Sequence, residues 1–575
     1  MSKLIVAYHR RAPDIAEASR RARRCLAEIT PDILRPAARI EVARAGNQVR
    51  ATLNLPEASL RSGMSLCQGR ILGSRAGWAE PGAPLPDGSY ALIRDDARCL
   101  EAASDPTASR ALWVYFDADL FVVSNSQRAI TLYAGRFEFD PEVGPWILST
   151  GALGLGQSYG RDLRPLPPAS RVTLDKAAWR THWTSGALRF APEPDAEARR
   201  AEIREGLRET FADFGADDAR RSVLSLSGGA DSRAIATLLP RAAGAPWRSA
   251  SGGPAGAQRL PDTDAGVGAA VAEALGFQHR FVPLFASPEP IETVIDRFVL
   301  ASEGRVDHLE GYLDGLAHLR DLAEDGTEIV IRGDTCLGGP AWQPAESELA
   351  ARMTIGLLTC GDLADLAPRA EAFGLAGQRL PAALDRRADE SLLTWRDRTY
   401  PRFRGTVVLS ALTETKTYGL ELVNPLLSRR LWAVAAALPD PDRLDKALFR
   451  AVMRELEPRL FAPDPPFARR HGGPTMVEAL NRPAARRLLA ASLASATAGE
   501  IFGEPLLDWL RGRLTPGQEV RARAYRALNR LTGAGLAAGP TVHPLRLAFR
   551  VHMARVMVER LRADATLLAP ARAAA

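Results

Sequence analysis

A short apolar strand that runs through a glycine pair into a helix constrains this chain more than any other stretch. Ser222-Val223-Leu224-Ser225-Leu226 reads as a buried-type strand, Ser227-Gly228-Gly229-Ala230-Asp231-Ser232 as a loop, and Arg233 to Leu239 as a helix. Two adjacent glycines let the backbone take turns closed to other residues and approach a ligand closely. The helix that follows presents unpaired N–H groups and the positive end of its dipole, which together make an anion site. Ser227 and Ser232 add hydroxyl donors for phosphate oxygens, and Ser225 at the strand end joins the same candidate nucleotide-binding set with Gly228 and Gly229. Asp231 would repel a phosphate, so its sensible role is to hold Mg²⁺. The Gly-x-x-x-x-Gly-Lys-Ser/Thr pattern of a Walker loop is absent. The plain alternative is a strand–turn–helix connection with no ligand.

The surrounding pattern alternates strands with helices. Strands are expected near Trp247 to Ala250, Arg280 to Leu284 and Glu328 to Ile331, with a helix near Ala265 to Leu275. That order predicts an α/β fold built on a parallel sheet, helices on both faces. Ligands bind at the carboxyl ends of such strands. Ser249, at the end of the second strand, is a candidate to cover an adenine. Ile329-Val330-Ile331 leads into Arg332-Gly333-Asp334-Thr335-Cys336-Leu337-Gly338-Gly339, where Asp334 is placed to complete a metal site with Asp231 and Gly333 to border the nucleotide.

Residues 1 to about 190 differ. Short apolar runs such as Ala111 to Phe116 and Leu120 to Ser124 sit between Asp, Gly and Asn turn signals, which predicts a β-rich domain. The segment Pro194 to Ala216 reads as the junction, with Asp195 capping a helix whose Ile203, Leu207, Phe211 and Phe214 form one apolar stripe. From about residue 345 onward nearly everything reads as helical, and Leu545 to Leu561 reads as an amphipathic helix suited to packing on its own domain or docking a partner.

With 575 residues the chain is too long for a single core, so two or three domains are expected. The net charge of +6 is spread thinly, and no Lys/Arg run is interleaved with aromatics, which argues against nucleic-acid binding. Cys25, Cys67, Cys99, Cys336 and Cys360 are odd in number, widely spaced and without a Cys-x-x-Cys pair, a poor basis for disulfides or zinc. No stretch is apolar for long enough to span a bilayer or to serve as a signal peptide. The expectation is a cytoplasmic protein without a membrane partner.

Ser227 to Ser232 resembles the pyrophosphatase loop of the N-type ATP pyrophosphatases, which cleave ATP between the α- and β-phosphates. Arg332 to Gly339 resembles the second metal-binding loop of asparagine synthetases and β-lactam synthetases. Asp445-Lys446-Ala447-Leu448-Phe449-Arg450, preceded by Ala435 to Pro439, resembles the asparagine synthetase-like segment whose lysine approaches the α-phosphate and the leaving pyrophosphate. Tyr418-Gly419-Leu420-Glu421 to Leu427 resembles the family segment ending in Pro-Phe-Leu. The resemblance implies catalytic roles for Lys446, Glu421 and Asp334, with ATP and Mg²⁺ as cofactors. It also implies two domains: a glutaminase-like (Ntn-hydrolase-like) domain over residues 1–190, and an ATP-pyrophosphatase synthetase domain with C-terminal helices over residues 195–575.

In glutamine-dependent members a cysteine follows the initiator methionine and attacks the glutamine amide. Ser2 stands at that position here, which predicts no glutaminase activity. Two branches keep the domain without its nucleophile: the β-lactam synthetases and the lasso peptide cyclases. Ile331 falls where a β-lactam synthetase has tyrosine and an asparagine synthetase glutamate. Arg332-Gly333-Asp334 and Ser232-Arg233 are similar to the cyclase branch. The resemblance implies a macrolactam synthetase that adenylates an Asp or Glu side chain of a precursor peptide. The peptide's own N-terminal amine then closes an isopeptide bond. Its partners would be the precursor peptide, a leader peptidase and a leader-binding protein. The alternative is an amidotransferase-like or β-lactam-synthetase-like ligase acting on a small carboxylate. Glu303, Asp307, His308, Glu310 and Glu421 are the candidates for a general base.

Overall fold

The computed structural model describes residues 3–186, 190, 196–243, 246–334, 337–338, 347–461, 475–514 and 540–568. Ser2, the cap expected at Asp195, and Thr335, Cys336 and Gly339 lie outside the described residues.

Residues 3–186 are built on two stacked antiparallel sheets. Strand β1 (Lys3–His9) lies inside the first sheet, paired with β3 (Gln48–Leu53) on one side and β9 (Leu120–Ser124) on the other. β2 (Ile40–Ala45), β8 (Trp113–Phe116) and β10 (Leu163–Pro165) complete it, in the order β10-β8-β9-β1-β3-β2. The second sheet runs β12 (Arg180–Ser185), β11 (Ser170–Asp175), β7 (Cys99–Ser104), β6 (Asp87–Asp95), β5 (Ser65–Leu72), β4 (Leu60–Ser62).

The strand period of two distributes β1 between two cores. Leu4 and Val6 join the layer between the sheets with Phe121, Ile93 and Leu174. Ile5 and Ala7 face the opposite way, toward helices Ile15–Ile29 and Gln127–Ala134. Both faces of the strand are buried, so its sequence is a continuous apolar run rather than an alternation.

The second half is built on a five-stranded, all-parallel sheet. Its order is β15 (Gln278–Pro283), β14 (Arg248–Gly253), β13 (Ser222–Ser225), β16 (Ile329–Ile331), β17 (Glu421–Val423). Four of these are the expected strands, with ends shifted by up to three residues. The fifth corrects the reading of residues beyond 345 as helical. Glu421–Val423 pairs with Ile329–Ile331 at the sheet edge, inside an otherwise helical stretch. Three residues carry too little periodicity to be told from a loop.

Leu224, Ile331 and Val423 share one face of this sheet, packed against Ile235 and Leu239 of helix Ala230–Ala243 and the Ile203-Leu207-Phe211 stripe of helix Ala196–Ala212. Val223, Val330 and Leu422 share the other face, which borders a cavity.

The last helix, Pro544–Leu567, is buried along most of its length and packs on helices Gln127–Ala134 and Pro483–Leu493. Leu545–Leu561 therefore packs within the chain, but on helices of both halves rather than on its own domain alone. No helix among the described residues is long and apolar enough to cross a membrane.

Candidate active site

The glycine loop leaves β13 and enters helix Ala230–Ala243 at the carboxyl end of the parallel sheet. Its shape is held from within. Ser232 Oγ donates to the carbonyls of Ser227 and Gly229 at 3.0 and 3.2 Å, and accepts from Ser227 N–H at 3.1 Å. Gly228 N–H donates to the Asp264 carboxylate at 3.1 Å. A main-chain amide of this loop thus already holds an anionic oxygen, the interaction expected of a phosphate cradle.

Arg332-Gly333-Asp334 leaves the neighbouring strand β16 and lies against the loop. A Cβ on Gly333 would sit 3.0 Å from Ser232 N and 3.1 Å from Asp231 Cβ. Glycine at 333 is what lets the two aspartate-bearing segments touch. Asp334 is buried; Arg332 pairs with it at 3.2 Å. Asn424, in the amide orientation that satisfies its neighbours, donates to Asp334 Oδ2 at 3.0 Å and to the Arg332 carbonyl at 3.1 Å.

Lys446 reaches the loop from the far side and its Nζ lies 2.5 Å from Asp231 Oδ2. The backbone is turned to deliver it: Asp445 and Lys446 have φ of 52° and 56°, the left-handed region that L-residues avoid. Such a conformation costs about 1 to 3 kcal/mol per residue and persists where the surroundings enforce it, most often at functional sites.

The structure therefore brings Ser227, Gly228, Gly229, Asp231, Ser232, Gly333, Asp334 and Lys446 together. Two of the other candidates lie apart. Ser249 occupies the opposite face of β14, where its hydroxyl meets His279 Nδ1 at 2.9 Å. Glu421 begins the edge strand, level with Ile329 rather than with the strand end, and pairs with the buried Arg110. Ser225 is exposed at the end of β13 and lines the cavity with Ala250, Ser251 and Gly252.

That cavity has a volume of about 420 Å³ and spreads over the Val223-Val330-Leu422 face of the sheet. Tyr312, His308, Glu310, Arg332 and Lys416 form much of its polar wall. Burial and the nearby Arg332 lower the Lys416 pKa to about 7.

The base candidates separate cleanly. Glu303 accepts from Ser126 Oγ and from Gln127 N–H at 2.8 Å, holding the start of helix Gln127–Ala134. Asp307 is clamped by Arg546 and Arg550 at 2.9 and 2.7 Å. Burial alone would raise the Asp307 pKa, but the two guanidinium groups outweigh it and hold the carboxyl well below its usual range. Both serve the fold. His308 and Glu310 face the cavity. Lys416, Arg332, Asn424 and Asp264 are not among the site candidates of the sequence; Arg332 and Asn424 stand in segments singled out there, Lys416 and Asp264 do not.

A second cavity, about 290 Å³ and mainly apolar, lies where the two halves meet, lined by Pro106, Pro165, Pro167, Pro168, Pro401 and Trp432 among others. It shares Thr107, Pro401 and Trp432 with a recess that reaches Asp334.

Among the described residues no cluster of three or more His, Cys, Asp or Glu side chains is arranged to hold a metal. Asp231 and Asp334 still fit Mg²⁺, which commonly takes one or two protein carboxylates and fills the rest of its octahedron with phosphate oxygens and water. The contact that Gly333 permits sets the two segments bearing these carboxylates side by side.

No protein-family model matches the chain, and no curated protein matches it. Among solved structures it is similar to the allosteric regulatory enzyme of purine biosynthesis, at 11% identity over 50% of this chain and 82% of that one, with a TM-score of 0.21. It is also similar to glutamine phosphoribosylpyrophosphate amidotransferase from B. subtilis complexed with ADP and GMP, at 11% identity over 51% of this chain and 67% of that one, TM-score 0.21. At that score the likeness carries no argument; what stands is a mixed α/β architecture of two antiparallel sheets and one parallel sheet.

Proposed function

We propose that this chain is an ATP-dependent carbon–nitrogen ligase that activates a carboxylate as an acyl-adenylate. The observation that carries the reading is the convergence of the Ser227–Ser232 loop, Lys446 and Asp334 at the carboxyl end of a parallel sheet. In the first step a carboxylate oxygen bonds to the α-phosphorus of ATP and pyrophosphate leaves. In the second an amine nitrogen bonds to the acyl carbon, AMP leaves and one proton is released. The loop amides bind phosphate oxygens, and Lys446 places a cation where negative charge grows on the departing pyrophosphate. Asp231 and Asp334 would hold Mg²⁺, which supplies charge stabilisation on the phosphates. The N-terminal sandwich, read as an Ntn-hydrolase-like domain, works as a structural partner rather than a glutaminase, because position 2 is serine.

The acceptor is read as a peptide's own α-amine, giving the macrolactam of a lasso-type precursor. Two observations support this. Ile331 is fully buried on the sheet face away from the cavity and supplies no acid or base. The proline-lined apolar cleft beside the Asp334 recess suits a peptide segment. An α-amine has a pKa near 7.7–8.0, so about a tenth of it is neutral at pH 7 without help.

The test is incubation with ATP, Mg²⁺, a leader peptidase and candidate precursor peptides, read by mass spectrometry. Loss of one water from the core peptide with AMP and pyrophosphate formed supports the reading; ADP overturns adenylation. Amide formation from a small acid and free ammonia, with peptides inert, favours the amidotransferase-like alternative. Ammonia release from glutamine would overturn the structural role of the first domain.

A further inference from the structure

The charged groups on the wall of the 420 Å³ cavity fall into two sets. One set is already satisfied. Asp314 accepts from the N–H groups of Leu316 and His318 at 3.3 and 2.9 Å. Glu421 is paired with Arg110. His308 Nδ1 lies 3.4 Å from the Asp307 carboxylate but is buried without a hydrogen-bond partner, so it stands outside this satisfied set. Burial, aided by Arg280, lowers the His318 pKa to about 4, so this imidazole is neutral.

The other set is not. Lys416 has no carboxylate within ion-pair distance among the described residues; its ammonium lies 5.8 Å from the centre of the Tyr312 ring. Arg332 spends one side of its guanidinium on Asp334, and its Nη1 is buried without a hydrogen-bond partner. Glu310 Oε2 is likewise buried without a partner. Two cationic side chains and one carboxylate therefore line a single cavity, Lys416 without an ion pair among the described residues and Arg332 and Glu310 each with one buried atom unpartnered.

We propose that this cavity binds a zwitterion, with the ligand's carboxylate on Lys416 and Arg332 and its amine on Glu310. The inference deepens the adenylation reading: it places the acid to be activated and the amine that attacks it in one chamber beside Asp334. Burying a charge without a partner is costly, and removing it from water recovers free energy only when an opposite charge meets it in good geometry. A ligand of one sign would satisfy one end and leave the other exposed to the same penalty. A ligand carrying both signs satisfies both. Burial, with Arg332 beside it, lowers the Lys416 pKa more than Asp334 raises it, and a bound carboxylate would oppose that shift. Nucleotide phosphates have their own donors in the Ser227–Ser232 amides and Lys446.

The test is binding to the full-length protein without ATP, by calorimetry or ligand-observed NMR. The probes are ω-amino acids from glycine to 5-aminovalerate, with valerate, pentylamine and inorganic phosphate as controls. The best zwitterion is expected to bind about tenfold or more tightly than valerate or pentylamine, the equivalent of one modest charge contact. Lys416→Met should reduce it to the affinity of pentylamine, and Glu310→Gln to that of valerate, while Lys416→Arg retains part of the advantage. The comparison of probes on the unaltered protein needs no variant to fold. Equal affinities for zwitterion and single-charge probes, or tighter binding of phosphate abolished by Lys416→Met, would overturn the proposal. Zwitterion binding without ATP–pyrophosphate exchange would leave it standing and sink adenylation instead.

Discussion

The boundary between the two halves and the carboxyl end of the parallel sheet both bury charge, and they dispose of it in opposite ways. At the boundary each charge meets another. Lys3 pairs with Glu414 at 2.8 Å, Glu414 with Arg110 at 3.0 Å, and Arg110 with Glu421, four side chains almost wholly removed from water. Burial would raise the Glu414 pKa, but Lys3 and Arg110 outweigh it and hold the carboxyl low. At the sheet end, Lys416 lines a cavity with no carboxylate in ion-pair distance among the described residues, and Arg332 Nη1 and Glu310 Oε2 on the same wall are buried without a hydrogen-bond partner. A closed network fixes the two halves together; an open one is work left for a ligand. Glu421 illustrates the difference: it touches the cavity, but Arg110 has already claimed it.

The largest effect that would test this contrast is on chemistry. Asp231→Asn removes the proposed metal ligand and the partner of Lys446 at once, so ATP–pyrophosphate exchange should fall by roughly 10²- to 10³-fold with circular dichroism unchanged, the scale of losing one well-placed charge contact in a site. An unaltered exchange rate would remove Asp231 from the machinery. Next is stability. Arg110→Met takes from Glu421 its buried guanidinium and leaves Glu414 with Lys3 alone, and breaking a buried pair in this way destabilises by about 3–5 kcal/mol. Urea denaturation measures it, and a loss below about 1 kcal/mol, the range of exposed pairs, would show that the boundary network is not closed.

The smallest effect has the opposite sign. Lys416→Met should stabilise the protein, because it removes an ammonium that burial disfavours. The folded pKa near 7 lies below the ordinary 10.5, so the unfolded chain holds the extra proton between these values. The penalty is complete below about pH 7 and fades as pH rises toward 10.5. The variant's advantage in thermal unfolding should therefore be greatest at pH 6 and shrink by pH 10. A pH-independent difference would mean that Lys416 already has a counter-ion in the folded protein.

How far the site was legible follows from how local each part is. Ser227 to Ser232 is one strand–loop–helix step, and its glycines, hydroxyls and carboxylate are all specified within six consecutive residues. Arg332 to Asp334 repeats that logic at a neighbouring strand end. Ser249 shows where locality stops. The strand was recognised, yet a period of two makes its facing depend on register, and the sheet turns Ser249 away from the cavity while Ala250 and Gly252 line it. Three of the base candidates, Glu303, Asp307 and Glu421, are engaged by partners far away in the chain. Nothing near Asp307 in the chain announces Arg546 and Arg550, and nothing near Glu421 announces Arg110, 311 residues earlier.

The sequence by itself determined the parallel sheet's main strands, the β-rich first half and the strand–glycine loop–helix step, because each follows from hydrophobic period and backbone chemistry over a few adjacent residues. Only the tertiary structure decided which charges are spent. It added β17 to the sheet edge, set Lys446 against Asp231 across 215 residues, and left Lys416 facing a cavity alone. A charged side chain reads the same in sequence whether its partner is a buried guanidinium, water or a substrate. The difference is the dielectric and the distance around it, and those exist only once the chain is folded.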